Sequence, residues 1–111
     1  GYGKGPQMIK AFYTATTKPT ENGLSVRWLT DGFGDCVCRA EFMHDRDGNA
    51  VVVELETPKF YRGFGYARQL LAEIGKRETK GELRAISNEN ARSYYEKLGF
   101  AEVAPNIYCA S

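Results

Sequence analysis

An α+β fold, with a mixed but mainly antiparallel sheet of six or seven strands and two main helices, is what this sequence predicts. Three observations lead there. Strand-like runs separated by turn signals fill the chain as far as Thr57, the apolar spacing changes to a helical period after Pro58, and strand character returns twice beyond it. The expected order is four strands, helix, strand, helix, then one or two strands.

The first strand is expected within Met8–Thr17, where Ile9, Phe12, Tyr13, Thr14 and Thr16 are β-formers, and the Lys18–Gly23 stretch breaks it with a proline and an Asn-Gly turn signal. Leu24–Thr30 alternates Leu24, Val26 and Trp28 against Ser25, Arg27 and Leu29, and Cys36–Met43 continues the meander after Asp31-Gly32-Phe33-Gly34. The run Ala50–Thr57 is the fourth strand, and its continuous valines suggest burial on both faces. Asp45-Arg46-Asp47-Gly48-Asn49, which precedes it, has the start of a calcium loop without the later bidentate glutamate, so it reads as a hairpin turn. Ala67, Leu70, Leu71 and Ile74 then recur at helical spacing, placing a helix over about Gly65–Thr79. Lys80-Gly81 ends it, and Leu83–Ile86 is a short strand. Ser87-Asn88-Glu89-Asn90 offers caps to a second helix carrying Ala91, Tyr94, Tyr95 and Leu98, which Gly99 stops. Strand character from Phe100 to Cys109 is split by a Pro105-Asn106 turn.

The 111 residues suit one domain, expected over 8–111, behind a segment 1–7 with no apolar period that reads as flexible, with Met8 the candidate natural start behind a cloning remnant. No apolar run approaches the ~20 residues of a membrane span. Fifteen basic against fourteen acidic residues give a formal charge of +1, which argues against broad electrostatic capture of nucleic acid. Cys36, Cys38 and Cys109 are odd in number and contain no C-x-x-C pair, so a reducing, cytoplasmic setting is expected and no metal site. Cys36 and Cys38, two apart on a strand, are expected to face the same way. An exposed sheet face bearing Trp28 and Phe42 is a candidate homodimer surface.

The chemistry concentrates in two segments. Tyr61-Arg62-Gly63-Phe64-Gly65-Tyr66-Ala67-Arg68 stands where a strand hands over to a helix. Glycines there let a ligand approach the backbone, and a helix start presents unpaired N–H groups carrying partial positive charge. That is an anion site able to hold a diphosphate on the main chain of Gly63 to Ala67, with Arg62 and Arg68 nearby. Arg62-Gly63-Phe64-Gly65-Tyr66 also copies the opening of the octapeptide with which RNA-recognition motifs stack bases, but that octapeptide must be a strand ending in an aromatic. Here the sequence turns helical and Gln69 occupies the aromatic's place. The second segment, Asn88 to Phe100, is an amphipathic helix with a glycine stop.

Together the two segments resemble the GCN5-related N-acetyltransferases (GNAT). Arg62, Gly65 and Ala67 match the family's acetyl-coenzyme-A loop, and Asn88, Ala91, Tyr95, Glu96, Lys97, Gly99 and Phe100 match its later segment, with one helix and one strand between. The likeness covers roughly Ala50 to Phe100. It departs at the front, because family members usually carry two helices between the first two strands, where this chain has only the Lys18–Gly23 loop.

The resemblance implies a GNAT-like fold and an acetyl-coenzyme-A-dependent N-acetyltransferase acting on an amine of a small molecule, peptide or protein by direct attack in a ternary complex. The cofactor arm would lie along Leu55, Glu56 and Thr57, with Gly63, Phe64, Gly65, Tyr66 and Ala67 at the diphosphate and Asn88 and Ala91 beside the arm. Tyr95 matches the tyrosine that protonates the departing thiolate. Glu54 and Glu56, which share one strand face opposite Val53 and Leu55, are the candidate bases. The reduced front leaves a second reading, a non-catalytic module that binds coenzyme A or a protein.

Overall fold

The computed structural model describes residues 13–16, 21–88 and 91–110. Expectations for residues 1–12, for residues 17–20 and for the cap residues Glu89 and Asn90 lie outside these. The elements are β1 (Tyr13–Thr16), β2 (Ser25–Thr30), β3 (Cys36–His44), β4 (Ala50–Glu56), α1 (Tyr66–Arg77), β5 (Leu83–Ile86), α2 (Arg92–Lys97), β6 (Phe100–Ala104) and β7 (Ile107–Ala110). One seven-stranded sheet runs in the order β1-β2-β3-β4-β5-β7-β6. The β4–β5 pair alone is parallel, because α1 is the crossover between them. This is the mixed, mainly antiparallel GNAT-like arrangement that the sequence predicts, in the predicted order.

Both helices lie on one face of the sheet. Tyr66, Ala67, Leu70, Leu71 and Ile74 of α1 and Tyr95 of α2 join Leu29, Ala40, Phe42, Val52, Ala85 and Tyr108 in a single core. Helical spacing puts the α1 residues on one stripe, and burying that stripe supplies the main driving force for docking the helix. At the edge of this core Arg27 is buried, its Nη1 donating to Glu78 Oε2 at 2.6 Å.

The helix-covered face is where sequence reading errs. Phe42 is fully buried on it, whereas Trp28 pairs across from Arg39 on the opposite face, so the two cannot form one exposed patch. Val52 is fully buried, but Val51 and Val53 are only half-buried, since among the described residues no helix covers the second face. The valine run therefore reflects β-propensity and one covered face, not two. Cys36 is exposed and Cys38 buried, because the β2–β3 register shifts between Leu29 and Thr30 and interrupts the alternation.

Two local structures hold the end of the sheet remote from the glycine loop. Asp45 Oδ1 accepts the backbone N–H groups of Asp47 and Asn49, making a side-chain-closed turn that spends the carboxylate on the protein itself. Asn49 then donates to Asp45 Oδ2 and accepts the Glu82 N–H, tying the β3–β4 turn to the start of β5.

Candidate functional site

The site begins with a defect in the sheet. β4 pairs with β3 out of step between Glu41 and Phe42, leaving Val53 as an extra, bulged residue. On its other side β4 pairs with β5 only through Ala50, Val51 and Val52. Beyond that point the two parallel strands part, and the β5-facing edge of Val53–Glu56 has no strand partner among the described residues. Counted through the bulge, Leu55 has the same phase as Ala50, whose N–H bonds to the Glu82 carbonyl on the β5 side. The Leu55 N–H therefore points into the gap.

The loop after β4 closes one wall of this gap. A 3₁₀ turn, Lys59–Tyr61, follows Pro58, and Arg62 Nε donates to the Thr57 carbonyl at 2.9 Å, pinning the loop to the strand end. Gly63 and Gly65 have φ of 85° and 83°, a left-handed conformation that side chains resist, and nothing lies within 4 Å of the place where a Cβ would stand on either. Gly65 is the N-cap of α1. The N–H groups of Gly63, Phe64 and Gly65 make no hydrogen bond among the described residues, and neither do those of Ala67 and Arg68 in the first turn of α1.

The second wall is α2. Asn88 Oδ1 accepts the Ala91 N–H at 2.9 Å, capping the turn that leads into the helix. Between the walls lies a cleft of about 690 Å³. It is lined by Leu55, Glu56 and Thr57 from the parted strand, by Arg62, Gly63, Gly65, Tyr66, Ala67 and Arg68 from the loop and helix start, and by Asn88 and Ala91. These eleven residues, three from the end of β4 and eight from the two segments some twenty positions apart, thus meet at one place.

Three expected residues stand apart. Phe64 is exposed, with its ring against Tyr66 rather than in the cleft. Glu54 is exposed on the helix-free face, the face that Glu56 shares and that Glu41 joins from β3 directly across from Glu54. Arg39 Nη2 donates to Glu41 at 2.7 Å and relieves part of this like-charge contact. Tyr95 is 3% exposed, with its ring stacked on Tyr108 and tilted against Phe100. Burial, with smaller contributions from Tyr94 and Cys38, pushes its phenol up to about 12. A phenol with that pKa keeps its proton at neutral pH, as a proton donor must.

Tyr94, Tyr61 and Leu98 also line the cleft. Burial raises the Tyr94 phenol's pKa, while the Arg68 and Arg62 charges pull it down. Helical spacing already places Ala91, Tyr94 and Leu98 on one stripe, so two of the three carried a legible signal; Tyr61 carried none.

A family model described as an acetyltransferase (GNAT) domain matches residues 40–110. No curated protein sequence matches the chain. Among solved structures, that of Tetrahymena GCN5 is similar with a TM-score of 0.63 at 15% identity, covering 77% of this chain and 57% of that one. A GNAT-family acetyltransferase of Staphylococcus aureus gives a TM-score of 0.62 at 12% identity, covering 79% and 67%. The spermidine/spermine N-acetyltransferase SpeG of Vibrio cholerae, in mutant form, gives 0.60 at 15% identity, covering 76% and 55%. The chain thus spans little more than half the length of two of these three. The family match takes in β4, the glycine loop, both helices and the strands that follow, and on that ground the chain belongs to the GNAT acetyltransferase family.

Proposed function

We propose that the chain transfers an acetyl group from acetyl-coenzyme A to an amine by direct attack. The single observation that carries this reading is the gap between β4 and β5 opening onto the glycine loop. It brings strand donors at the parted end of β4 and the loop N–H donors of Gly63 and Gly65 along one continuous cleft. An extended amide-bearing arm satisfies the first, and a diphosphate satisfies the second.

When bound, acetyl-coenzyme A supplies the activated acyl group, and the chain's own residues do the rest. Gly63, Gly65, Tyr66 and Ala67 hold the diphosphate through main-chain donors, with Arg62 and Arg68 adding charge. Leu55, Glu56 and Thr57 hold the arm by strand-like hydrogen bonds, beside Asn88 and Ala91. The Leu55 N–H donates to an acyl oxygen as negative charge builds on it, a role supported by its lack of a strand partner and one that can contribute a few kcal/mol in a dry, preorganised site. Glu56, at the cleft, and Glu54, on the same face, are the carboxylates able to take a proton from the acceptor ammonium, directly or through water. Tyr95, the tyrosine that matches the family's thiolate-protonating position, is packed in the core beside Tyr94, and to hand its proton to the departing thiolate its hydroxyl must come to the cleft wall that Tyr94 lines. Replacing Tyr95 by Phe is expected to lower turnover at least tenfold while changing acetyl-coenzyme-A affinity less than threefold. Thiol release from acetyl-coenzyme A with a panel of amines, small and peptidic, measures the first and calorimetry the second. Equal turnover of the two proteins would remove Tyr95 from the chemistry.

The helix-free sheet face favours a second reading, a module that binds coenzyme A without chemistry, because nothing among the described residues walls the acceptor side. Tight cofactor binding with no thiol release on any amine, nor slow release to water, is the result that reading requires.

A further inference from the structure

Arg68 sits in the first turn of α1, yet its guanidinium is turned across to the far wall of the cleft. Nη1 donates to the Leu98 carbonyl at 3.4 Å and Nη2 to the Lys97 carbonyl at 3.3 Å, at the C-terminal end of α2. A cation suits that place, since the last carbonyls of a helix are unpaired and carry partial negative charge. The helix it holds is only six residues long, with Tyr95 its one buried side chain and Ala91 and Leu98, at its two ends, packed half-buried against the core. Such a short helix is marginal without tertiary support.

Arg68 also lines the cleft, and its charge is felt at the Tyr94 hydroxyl. A guanidinium has five N–H donors in a fixed fork, of which these two bonds use two. Its other donors have no partner among the described residues, and both of the bonds it does make are long. A phosphate group bound at the start of α1 would be within the reach of a side chain rooted in that same turn, and a guanidinium–phosphate bond, charged on both sides, is stronger than the guanidinium's bond to a neutral carbonyl.

We propose that Arg68 is a positioning residue that couples the occupied anion site to α2, bridging a bound phosphate and the Lys97 and Leu98 carbonyls so that cofactor binding fixes the helix carrying Tyr94 and Tyr95. This rests on the coenzyme-A reading given above. Lysine at this position keeps the charge but not the fork, so it can serve one partner and not both.

The test is amide hydrogen exchange at Leu98 and Gly99, whose N–H groups bond to Tyr94, Tyr95 and Glu96 carbonyls at the end of α2, with and without coenzyme A. In the unsubstituted protein, saturating coenzyme A is expected to slow these amides about tenfold or more. In Arg68→Lys, coenzyme A should still bind within about tenfold of normal affinity, while the added protection falls to less than threefold. Without ligand, the same amides should exchange several-fold faster in Arg68→Lys and in Arg68→Gln than in the unsubstituted protein. Equal ligand-induced protection in the unsubstituted protein and Arg68→Lys would overturn the coupling. Absence of any coenzyme-A binding overturns the coupling together with the cofactor reading; if the ligand-free amides are nonetheless faster in the variants, the contact of Arg68 with α2 stands and the cofactor reading is what failed. A stabilising contact alone would move the ligand-free rates and leave the ligand-induced increment unchanged.

Discussion

Replacing Gly65 by alanine separates what the backbone requires from what the ligand requires. The residue has φ 83°, and an L side chain in that region costs about 1–2 kcal/mol, offset by up to about 1 kcal/mol from the stiffer unfolded chain. A net loss of about 1 kcal/mol in stability is therefore expected from strain alone. The new methyl meets nothing in the protein within 4 Å, so it creates no internal clash and instead adds bulk at a residue that lines the cleft. Keeping a diphosphate from one of the loop's N–H donors removes a charge-assisted bond worth about 1.5–3 kcal/mol, or about tenfold to about 150-fold in affinity. Gly23 is the matched control: φ 77°, nothing within 4 Å, and a position in the β1–β2 loop at the other end of β2. Urea denaturation should show Gly23→Ala and Gly65→Ala losing similar stability, while calorimetric titration with acetyl-coenzyme A shows a loss of affinity for Gly65→Ala only. Unchanged affinity in Gly65→Ala, or an equal loss in both proteins, would refute the assignment of the loop as the anion cradle.

Further outcomes follow from the packing. In Gly81→Ala the added Cβ would collide with Asn49 Oδ1, so the Asn49 side chain must shift and strain its bonds to Glu82 and Asp45; a net loss of about 2 kcal/mol is expected by urea denaturation. Arg27→Ala leaves Glu78 without its 2.6 Å partner and should cost about 2–3 kcal/mol, also read from denaturation. Burial raises the Tyr95 phenol's pKa in the folded state to about 12 from an ordinary value near 10, so above pH 10 the unfolded chain binds fewer protons than the folded one. Its contribution is therefore full below pH 10 and is lost as the pH rises to 12, by at most about 2–3 kcal/mol. Stability measured from pH 9 to 12 should fall less steeply in Tyr95→Phe; parallel curves would contradict the shift.

Much of the fold was legible because its signals are local. The period change after Pro58, the Gly99 stop and the Asp45–Asn49 turn depend on neighbouring residues, and each stands where the sequence puts it. Facing was not legible. Arg27 and Ser25 turn inward while Val26 and Trp28 stay half-buried, because the face is decided by where α1 docks and not by strand hydrophobicity. Bulges are equally silent: the extra Val53 is what sends Leu55 back toward the core phase and leaves Glu54 and Glu56 on the helix-free face, and no residue type announces it. In the candidate site the backbone-binding positions were readable from glycine spacing. The choice between adjacent aromatics was not, since one residue along α2 is a turn of about 100°. That turn separates Tyr94 in the cleft from Tyr95 in the core.

The central claim is that the gap between β4 and β5 and the glycine loop form one cofactor cleft, and backbone amide chemical-shift mapping on addition of acetyl-coenzyme A tests it most directly. The account predicts saturable shifts confined to Leu55–Thr57, Gly63–Arg68 and Asn88–Leu98, with Val26, Trp28 and Met43 on the helix-free face unmoved. No shifts at millimolar ligand, or shifts centred on β2 and β3 instead of the cleft, would contradict it.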